Sequence, residues 1–199
     1  IPLWQHIGGT RGETNCGVSI GIQDSIEELF QIIEVALDAG YQRIKIKIKP
    51  GRDVEMLLGL REKYPDVMLM VDANSAFSLD DLPRLKALDE VGLMMIEQPL
   101  AHDDLLDHAR LAAAITTPIC LDESIVSVDR ARQAIELKSC RWVNIKPGRV
   151  GGLTTAVAIH DLCRDAGIGC WVGSMLESAV GAAACVALAM LDNFIYPAD

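Results

Sequence analysis

The sequence carries an acidic residue at the end of each of three short apolar runs, and these residues recur at an interval of 25. They are Asp72 in LMVDAN, Glu97 in LMMIEQP and Asp122 in ICLDES. An interval of about 25 residues is the length of one strand, one helix and two short turns. The chain therefore places a charged group at the same end of successive strands. Buried carboxylates are rare unless they are paired or bound to a metal, so this spacing indicates a functional site.

Two lysines extend this spacing on either side of the three acids. Lys47 lies 25 residues before Asp72, and Lys146 lies 24 residues after Asp122. We interpret the short apolar runs as strands and the amphipathic segments between them as helices. The predicted strands are 16–22, 43–48, 67–74, 92–98, 118–123, 141–146, 168–173 and 193–197. The predicted helices are 25–39, 53–63, 78–89, 103–114, 127–138, 151–166 and 175–191.

Strict alternation of strands and helices predicts a parallel sheet covered by helices. The charged groups come from five consecutive strands, whereas an open doubly wound sheet gathers its ligands at one switch point. We therefore predict an α/β fold, a (β/α)7β barrel of the TIM type. The chain has 199 residues, fewer than the roughly 250 of a typical complete barrel domain. Residues 1–15, which show no initiator methionine and no signal-peptide pattern, are expected to be the tail of an upstream domain, and residues 16–199 the barrel.

Alternation along the strands supports this interpretation. In RIKIKIK (43–49) the isoleucines share one face and the lysines the other. Asp72 shares a face with Asn74, and Asn144 with Lys146. All of these polar groups fit pointing into the barrel near the carboxyl ends of its strands, where barrel active sites are built.

Composition excludes several classes of protein. A net charge of −10 and a pI near 4.8 argue against a nucleic-acid partner. No apolar run approaches the length that spans a membrane, so we expect no membrane partner. The six cysteines form no CxxC pair, and four lie in apolar segments, as expected of a reduced, cytoplasmic protein.

Three converging carboxylates repel one another, by about 4 kcal/mol per pair at about 4 Å and an effective dielectric constant of about 20. A divalent cation removes this repulsion, and an all-oxygen ligand set favours a hard ion, Mg²⁺ or Mn²⁺. The four histidines show no ligand spacing, which argues against zinc.

The flanking lysines suit proton transfer. A nearby metal cation disfavours the ammonium form of a lysine, which adapts it to general base catalysis. Lys47 and Lys146 approach from opposite sides of the strand ring, so a bound carboxylate would present its α-carbon to both. The predicted chemistry is removal of a proton next to a carboxylate through an enediolate, with Lys45 supplying positive charge to the substrate.

The motifs KxK, VDAN, IEQP, LDES and NIKPGRVGG together resemble the enolase superfamily, in particular its muconate-lactonizing branch. Proton removal by a lysine base, with Mg²⁺ stabilising the enediolate, is a general pattern of that superfamily. The resemblance implies that Asp72, Glu97 and Asp122 bind the metal and that Lys47 and Lys146 are the acid/base pair. It implies supporting roles around these ligands for Asn74 and Glu123. It also makes residues 1–15 the end of an N-terminal capping domain.

Within that branch the motifs are most similar to the o-succinylbenzoate synthase and N-acylamino acid racemase groups. The first implies syn dehydration of a cyclohexadiene carboxylate in menaquinone biosynthesis, and the second implies racemisation by both lysines. Arg149 matches the racemising subgroup, whereas Ser174 stands where a glycine is expected in the pocket wall. Glu177 either faces the pocket or caps the next helix. We expect synthase activity, with racemase activity as the alternative.

Other functions remain open at this point. A muconate cycloisomerase or a dipeptide epimerase would use the same five groups, although an epimerase usually shows an Asp-x-Asp near residue 173 that this sequence lacks. PGRVGG (147–152) opens a helix, as in phosphate-binding proteins, but no GxxxxGK or GxGxxG accompanies it. An inert metal-binding barrel fragment is a further alternative. The expected partner is a small-molecule carboxylate, and the full-length protein is expected to be a homo-oligomer.

Overall fold

Seven parallel strands form one sheet in the computed structural model, which describes all 199 residues. Each strand pairs with the next one along the chain, so the spatial order is the sequence order. The strands are β1 Gly17–Ile20, β2 Arg43–Lys47, β3 Met68–Asp72, β4 Ile96–Glu97, β5 Ile119–Leu121, β6 Trp142–Ile145 and β7 Gly169–Val172. This arrangement confirms the predicted parallel α/β barrel.

Nine α-helices accompany the strands. They are α1 Leu3–His6, α2 Ile26–Asp38, α3 Val54–Lys63, α4 Leu82–Ala87, α5 Leu105–Ala114, α6 Val128–Leu137, α7 Pro147–Val150, α8 Leu153–Asp165 and α9 Ala179–Leu188. Side-chain oxygens of Ser25, Ser127 and Ser178 accept hydrogen bonds from backbone N–H groups in the first turns of α2, α6 and α9. No helix combines the length and the apolar character needed to cross a membrane.

Two predicted helices are interrupted or shortened. The segment 78–89 divides into a 3-10 turn (Leu79–Asp81), α4 and a second 3-10 turn (Leu88–Val91). A capping box lies at its start, where the N–H of Ser78 donates to Asp81 Oδ2 at 3.0 Å. The helix predicted from residue 175 begins only at Ala179, where Ser178 supplies the cap.

The eighth predicted strand, 193–197, lies between β7 and β1 but is not a regular strand. Phe194 forms an isolated parallel bridge with Cys170, and Ala198 forms another with Cys16. Two arginine side chains donate hydrogen bonds to carbonyl groups of this segment. Arg11 Nη2 donates to the oxygen of Phe194 at 2.6 Å, and Arg43 Nη2 donates to that of Pro197 at 3.0 Å. These carbonyls are therefore satisfied by side chains instead of by a strand ladder, and the segment closes the ring irregularly.

The core divides into an outer and an inner part. A cluster of 41 buried residues fills the space between sheet and helices and includes the isoleucines of RIKIKIK, as the alternation predicts. Four buried residues form a separate cluster inside the ring: Met70, Met95, Cys120 and Trp171. Side chains two positions apart on a strand point the same way. The residues two positions after the first three are Asp72, Glu97 and Asp122, so the inner cluster is the floor beneath the acids.

Residues 1–15 pack against the end of α9. Arg11 Nη2 donates to the carbonyl oxygens of Ala189 and Leu191, each at 2.8 Å, and the N–H of Thr10 donates to that of Met190 at 2.9 Å. This segment is thus anchored to the barrel by several backbone and side-chain hydrogen bonds.

Candidate active site

The strand register brings the three acids to one end of the barrel. Asp72 is paired with Lys47 on β2 and with Glu97 on β4, and Glu97 is paired with Cys120 on β5, two residues before Asp122. All three acids are buried. The 25-residue interval therefore places the three acids at or just beyond the carboxyl ends of three neighbouring strands.

Glu97 is the most deeply enclosed of the three. Its Oε1 accepts a hydrogen bond from Asn144 Nδ2 at 2.7 Å, and its Oε2 lies 3.1 Å from Lys45 Nζ. Oε2 nevertheless has no hydrogen-bond partner of acceptable geometry. Burial raises the pKa of Glu97 to about 8 against the opposing charge of Lys45, and the charges of Asp72 and Asp122 add to the rise. The positive charge around Glu97 is therefore too small to stabilise its ionised form fully.

Lys45 lies beneath the acids inside the ring and is only 4% exposed. Its Nζ is 2.9 Å from Asp199 Oδ2 and 3.9 Å from Asp72 Oδ2, in addition to its contact with Glu97. Burial favours the neutral amine, but Glu97, Asp199 and Asp72 outweigh it and raise the pKa of Lys45 above its ordinary value. The ammonium also lies 4.8 Å from the ring centre of Trp171. Lys45 is a buried cation held by three anions.

Lys47 lies nearer the mouth, and 39% of its side chain is exposed. Its Nζ is 3.1 Å from Asp72 Oδ2 and also donates to Asn74 Oδ1. The backbone N–H of Asn74 donates to Asp72 Oδ1 at 2.9 Å, and its Nδ2 donates to Glu123 Oε1 at 3.0 Å. Asn74 therefore links Lys47, Asp72 and Glu123, and Glu123 reaches the site only through this amide.

Lys146 faces Lys47 across the acids and belongs to the other side of the site. Its Nζ lies 3.0 Å from Asp122 Oδ2, and its side chain is 14% exposed. Arg149 also binds Asp122, through Nη1 to Oδ1 and through Nη2 to Oδ2 at 3.4 Å. Asp122 is thus held by two cations at once.

Gln98 holds the backbone after β5, on the side of the site where Lys146 lies. Its Oε1 accepts hydrogen bonds from the N–H groups of Asp122 at 3.0 Å and Ser124 at 3.1 Å, and its Nε2 donates to Ser124 Oγ at 2.8 Å. Gln98 also has a positive φ of 37°, as do Asn74 at 42° and Ser75 at 64°. Non-glycine residues with such angles are uncommon and often occur at functional sites. Here they mark the ends of β3 and β4.

Two predicted substrate-binding residues stand apart from this network. The N–H of Ser174 donates to the backbone oxygen of Asp199 at 2.8 Å, and no hydrogen bond joins the Ser174 side chain to the acids or lysines. Glu177 Oε1 accepts from the N–H of Met175 at 3.2 Å, so Glu177 does not cap α9, which is capped by Ser178. Gly173 has a clearer steric role, because a Cβ there would overlap the amide of Asn144 and lie 2.8 Å from Cε of Lys146.

The acids do not converge on a single point. No group of three or more histidine, cysteine, aspartate or glutamate side chains is compact enough to hold a metal ion. Asp72 is turned to Lys47, Glu97 to Lys45, and Asp122 to Lys146 and Arg149. The donor set still fits a hard cation, because it is all carboxylate and because Glu97 Oε2 is buried without a hydrogen bond.

Sequence reasoning missed several residues of the site. Arg43 could have been found from alternation, because it shares a strand face with Lys45; alternation does place Asn144 on the inward face with Lys146, but it does not predict the partner of Asn144. Gln98 and Trp171 lie in recognised strands but carry no spacing signal. Asp199 had none at all, because it follows an irregular segment whose course the apolar pattern does not reveal.

A cavity of about 690 Å³ opens beside Lys47. Its walls come from the loops after β1 and β2, from the first turns of α2 and α3, and from Arg84. Arg52 joins the two loops by donating to the carbonyl oxygens of Gln23 at 2.8 Å and Asp24 at 3.2 Å. None of the three acids lines this cavity, so it borders the site only at Lys47.

Comparison with known families agrees with this geometry. Residues 30–198 match the model of the family described as enolase C-terminal domain-like. The chain belongs to the enolase C-terminal domain-like family. The parallel barrel of this chain is thus an enolase-type domain. It carries acids at the ends of three neighbouring strands.

Known members of the enolase superfamily resemble the chain over its whole length. It is 58% identical over 199 residues to an o-succinylbenzoate synthase of Geobacillus kaustophilus, covering all of this chain and 53% of that protein. It is 52% identical over 198 residues to an N-succinylamino acid racemase of Thermus thermophilus, covering 100% and 54%. The crystal structure of an enolase superfamily member from Listeria innocua superimposes with a TM-score of 0.96 at 43% identity, covering 100% of this chain and 53% of that one. The chain spans about half the length of the curated relatives it matches.

Proposed function

We propose that the full-length protein removes a proton α to a substrate carboxylate and forms an enediolate, and that it acts as an o-succinylbenzoate synthase. The observation that carries this proposal is the placement of Lys47 and Lys146 on either side of three buried acids. Proteins named o-succinylbenzoate synthase are also among the most similar relatives, at 58% and 56% identity.

Asp72, Glu97 and Asp122 would hold Mg²⁺, or Mn²⁺ in its place. A bound divalent cation would supply positive charge that stabilises the substrate carboxylate as the α-proton leaves. For the acids to bind it, they would exchange their present contacts with lysine and arginine for metal coordination. Asn74 and Glu123 support this set, since Asn74 bonds to both Asp72 and Glu123.

Lys47 would take the α-proton and then protonate the leaving hydroxyl group in the dehydration. Its exposure and the adjoining cavity favour this role, because the side chain both contacts Asp72 and borders open space. Lys146, which is less exposed and close to Asp122, would stabilise the enediolate electrostatically from the other face. Lys45 would contribute positive charge beneath the substrate carboxylate, and Arg149 and Ser174 would border the substrate.

N-succinylamino acid racemisation is the second candidate. It is favoured by the contact of a lysine with an acid on each side of the site, since racemisation requires a proton acceptor on each face. The relative from Thermus thermophilus is named for that activity. We further propose a cytoplasmic location, supported by five buried cysteines that remain free thiols, and a homo-oligomeric full-length protein.

An NMR assay of the full-length protein in D₂O with Mg²⁺ tests the proposal. One sample contains the cyclohexadiene carboxylate precursor of o-succinylbenzoate, the other an N-succinylamino acid, and Lys47→Ala is the control. Aromatic product in the first sample supports the synthase, and α-deuteration with racemisation in the second supports the racemase. If neither substrate reacts while metal still binds, the substrate assignment is wrong.

A further inference from the structure

Asp199 brings an anion into the interior of the barrel from the segment that closes the ring. Its Oδ2 lies 2.9 Å from Lys45 Nζ, which is the shortest ion pair that Lys45 makes. Its Oδ1 lies 3.4 Å from Arg43 Nη2 and has no hydrogen-bond partner. Arg43 is fully buried and Lys45 is only 4% exposed, so Asp199 faces two cations that are almost entirely shielded from water.

The backbone holds Asp199 in this position. The N–H of Asp199 donates to the carbonyl oxygen of Val172 at 3.2 Å, and its own carbonyl oxygen accepts from the N–H of Ser174 at 2.8 Å. Arg43 Nη2 donates to the oxygen of Pro197, two residues earlier, at 3.0 Å. Hydrogen bonds from two separate parts of the barrel thus set the direction in which the carboxylate points.

The other carboxylates around Lys45 suggest a role for Asp199. Its two other carboxylate partners, Glu97 and Asp72, are both candidate metal ligands. When those two carboxylates turn to a cation, their negative charge is shared with it, and Lys45 must be neutralised by another anion. A buried cation without a partner is strongly unfavourable. Asp199 is the remaining carboxylate in contact with Lys45.

We propose that Asp199 is a positioning residue for the metal site, acting as the counter-ion that holds Lys45 and thereby releases Glu97 to a divalent cation. This inference rests on the proposed metal-dependent function. Without Asp199, Lys45 keeps Glu97 as its main partner and competes with the metal for it. Asp199 touches neither the metal nor the substrate in this role and acts only through Lys45.

Titration of the full-length protein with Mn²⁺ by isothermal calorimetry tests the proposal without any measurement of turnover. The variants are Asp199→Asn, Lys45→Met and the double variant. Asp192→Asn is the matched control, because Asp192 precedes the same closing segment but is 55% exposed. We expect Asp199→Asn to weaken Mn²⁺ binding by about 10- to 100-fold, the usual effect of removing a residue that orients a metal ligand. Asp192→Asn should bind as the parent does.

The double variant identifies the route of the effect. Once Lys45 is replaced by methionine, no ammonium competes for Glu97, so adding Asp199→Asn should not weaken Mn²⁺ binding further. An equal loss in both backgrounds would overturn the proposal, because Asp199 would then act through Arg43 or the fold alone. Unchanged binding in Asp199→Asn would also overturn it.

Two further measurements keep the test decisive. Circular dichroism monitors folding, and if Asp199→Asn is unfolded, Asp199→Glu retains the charge and should bind Mn²⁺ more tightly than Asp199→Gln; equal binding by these two would overturn the proposal. If the parent protein binds no Mn²⁺, the proposed metal-dependent function fails, and this inference fails with it. If the parent binds and only the variant prediction is wrong, the proposed function stands.

Discussion

The two sides of the candidate site hold their acid and lysine in different ways. On one side, Asp72 is fixed by the backbone N–H of Asn74, and the exposed Lys47 adjoins an open cavity. On the other side, Asp122 forms ion pairs with both Lys146 and Arg149, and the side chain of Lys146 is mostly buried. A dehydration needs one lysine that moves protons and one cation that stays in place, whereas a racemase needs a lysine that moves protons on each face. This asymmetry favours the synthase assignment.

Replacing each lysine is the strongest test of the difference. We expect Lys47→Ala to lower kcat/KM for dehydration by about 10²- to 10⁴-fold, because it removes the acid/base group. In D₂O, Lys146→Ala should still exchange the α-proton of one enantiomer of an N-succinylamino acid, through Lys47. Lys86→Ala, on the exposed face of α4, is the control. Exchange of both enantiomers in Lys146→Ala would show that the lysines do not serve opposite faces.

Removing Gln98 should damage the Lys146 side selectively. Gln98→Ala leaves the buried N–H groups of Asp122 and Ser124 without an acceptor. We expect the free energy of unfolding to fall by about 2–4 kcal/mol, since each unsatisfied buried donor costs about 1–3 kcal/mol. Urea unfolding measures this loss, and Gln31→Ala at an exposed position of α2 is the comparison. A loss below about 0.5 kcal/mol would mean that the loop repacks and that Gln98 does not fix Asp122.

Arg149 gives a smaller effect on the same side. Arg149→Met removes one of the two cations that occupy Asp122, so the carboxylate is freer to bind a divalent ion. We expect Mn²⁺ affinity to rise by about three- to tenfold, or about 1 kcal/mol, with Arg132→Met on the surface of α6 as the control. Weaker Mn²⁺ binding by Arg149→Met would show instead that Arg149 holds Asp122 in the binding orientation.

The last prediction concerns pH and the loop that follows Gln98. The buried His108 donates from Nδ1 to the carbonyl oxygen of Asp104 at 2.6 Å and accepts the N–H of Leu100 on Nε2 at 3.2 Å, so the neutral ring is required. Burial lowers the pKa of His108 below its ordinary value of 6.5. The unfolded chain therefore binds this proton more readily, and stability is lost as the pH falls below about 6.5.

This loss should not exceed about 1.4 kcal/mol per pH unit for one proton. Urea unfolding between about pH 7 and pH 5 measures it, and the slope should flatten in His108→Gln. His102→Gln, at an exposed position, should keep the slope of the parent protein. An unchanged slope in His108→Gln would assign the pH dependence to other groups.

Much of the fold and site follows from local sequence pattern. The seven strands and the positions of Asp72, Glu97 and Asp122 were predictable because alternation and a regular interval are properties of the chain itself. The partners of these acids were less predictable. The hydrogen bonds of Gln98 and the ion pair of Asp199 depend on which strands become neighbours, and no spacing encodes that contact.

The closing segment shows why the eighth strand departs from prediction. NFIYP has the apolar character of a strand, but Pro197 has no N–H to donate, and Arg11 and Arg43 take two of its carbonyls. Long-range side-chain contacts thus replace the ladder that the local pattern favours. The breaks within 78–89 have a local cause in part, since Pro83 lies in the first turn of α4.

Closure of the ring joins residues that are almost the full length of this domain apart. The N–H of Gly17 donates to the oxygen of Ala198, and the N–H of Ala198 donates to that of Asn15. Contacts this distant in sequence carry a large loop-closure cost and form slowly. We expect β1 and β7 to have unpaired edges until this late step of folding, when the chain is most exposed to association with other chains. The same step delivers Asp199 to Lys45, so the barrel and its charge balance are completed together.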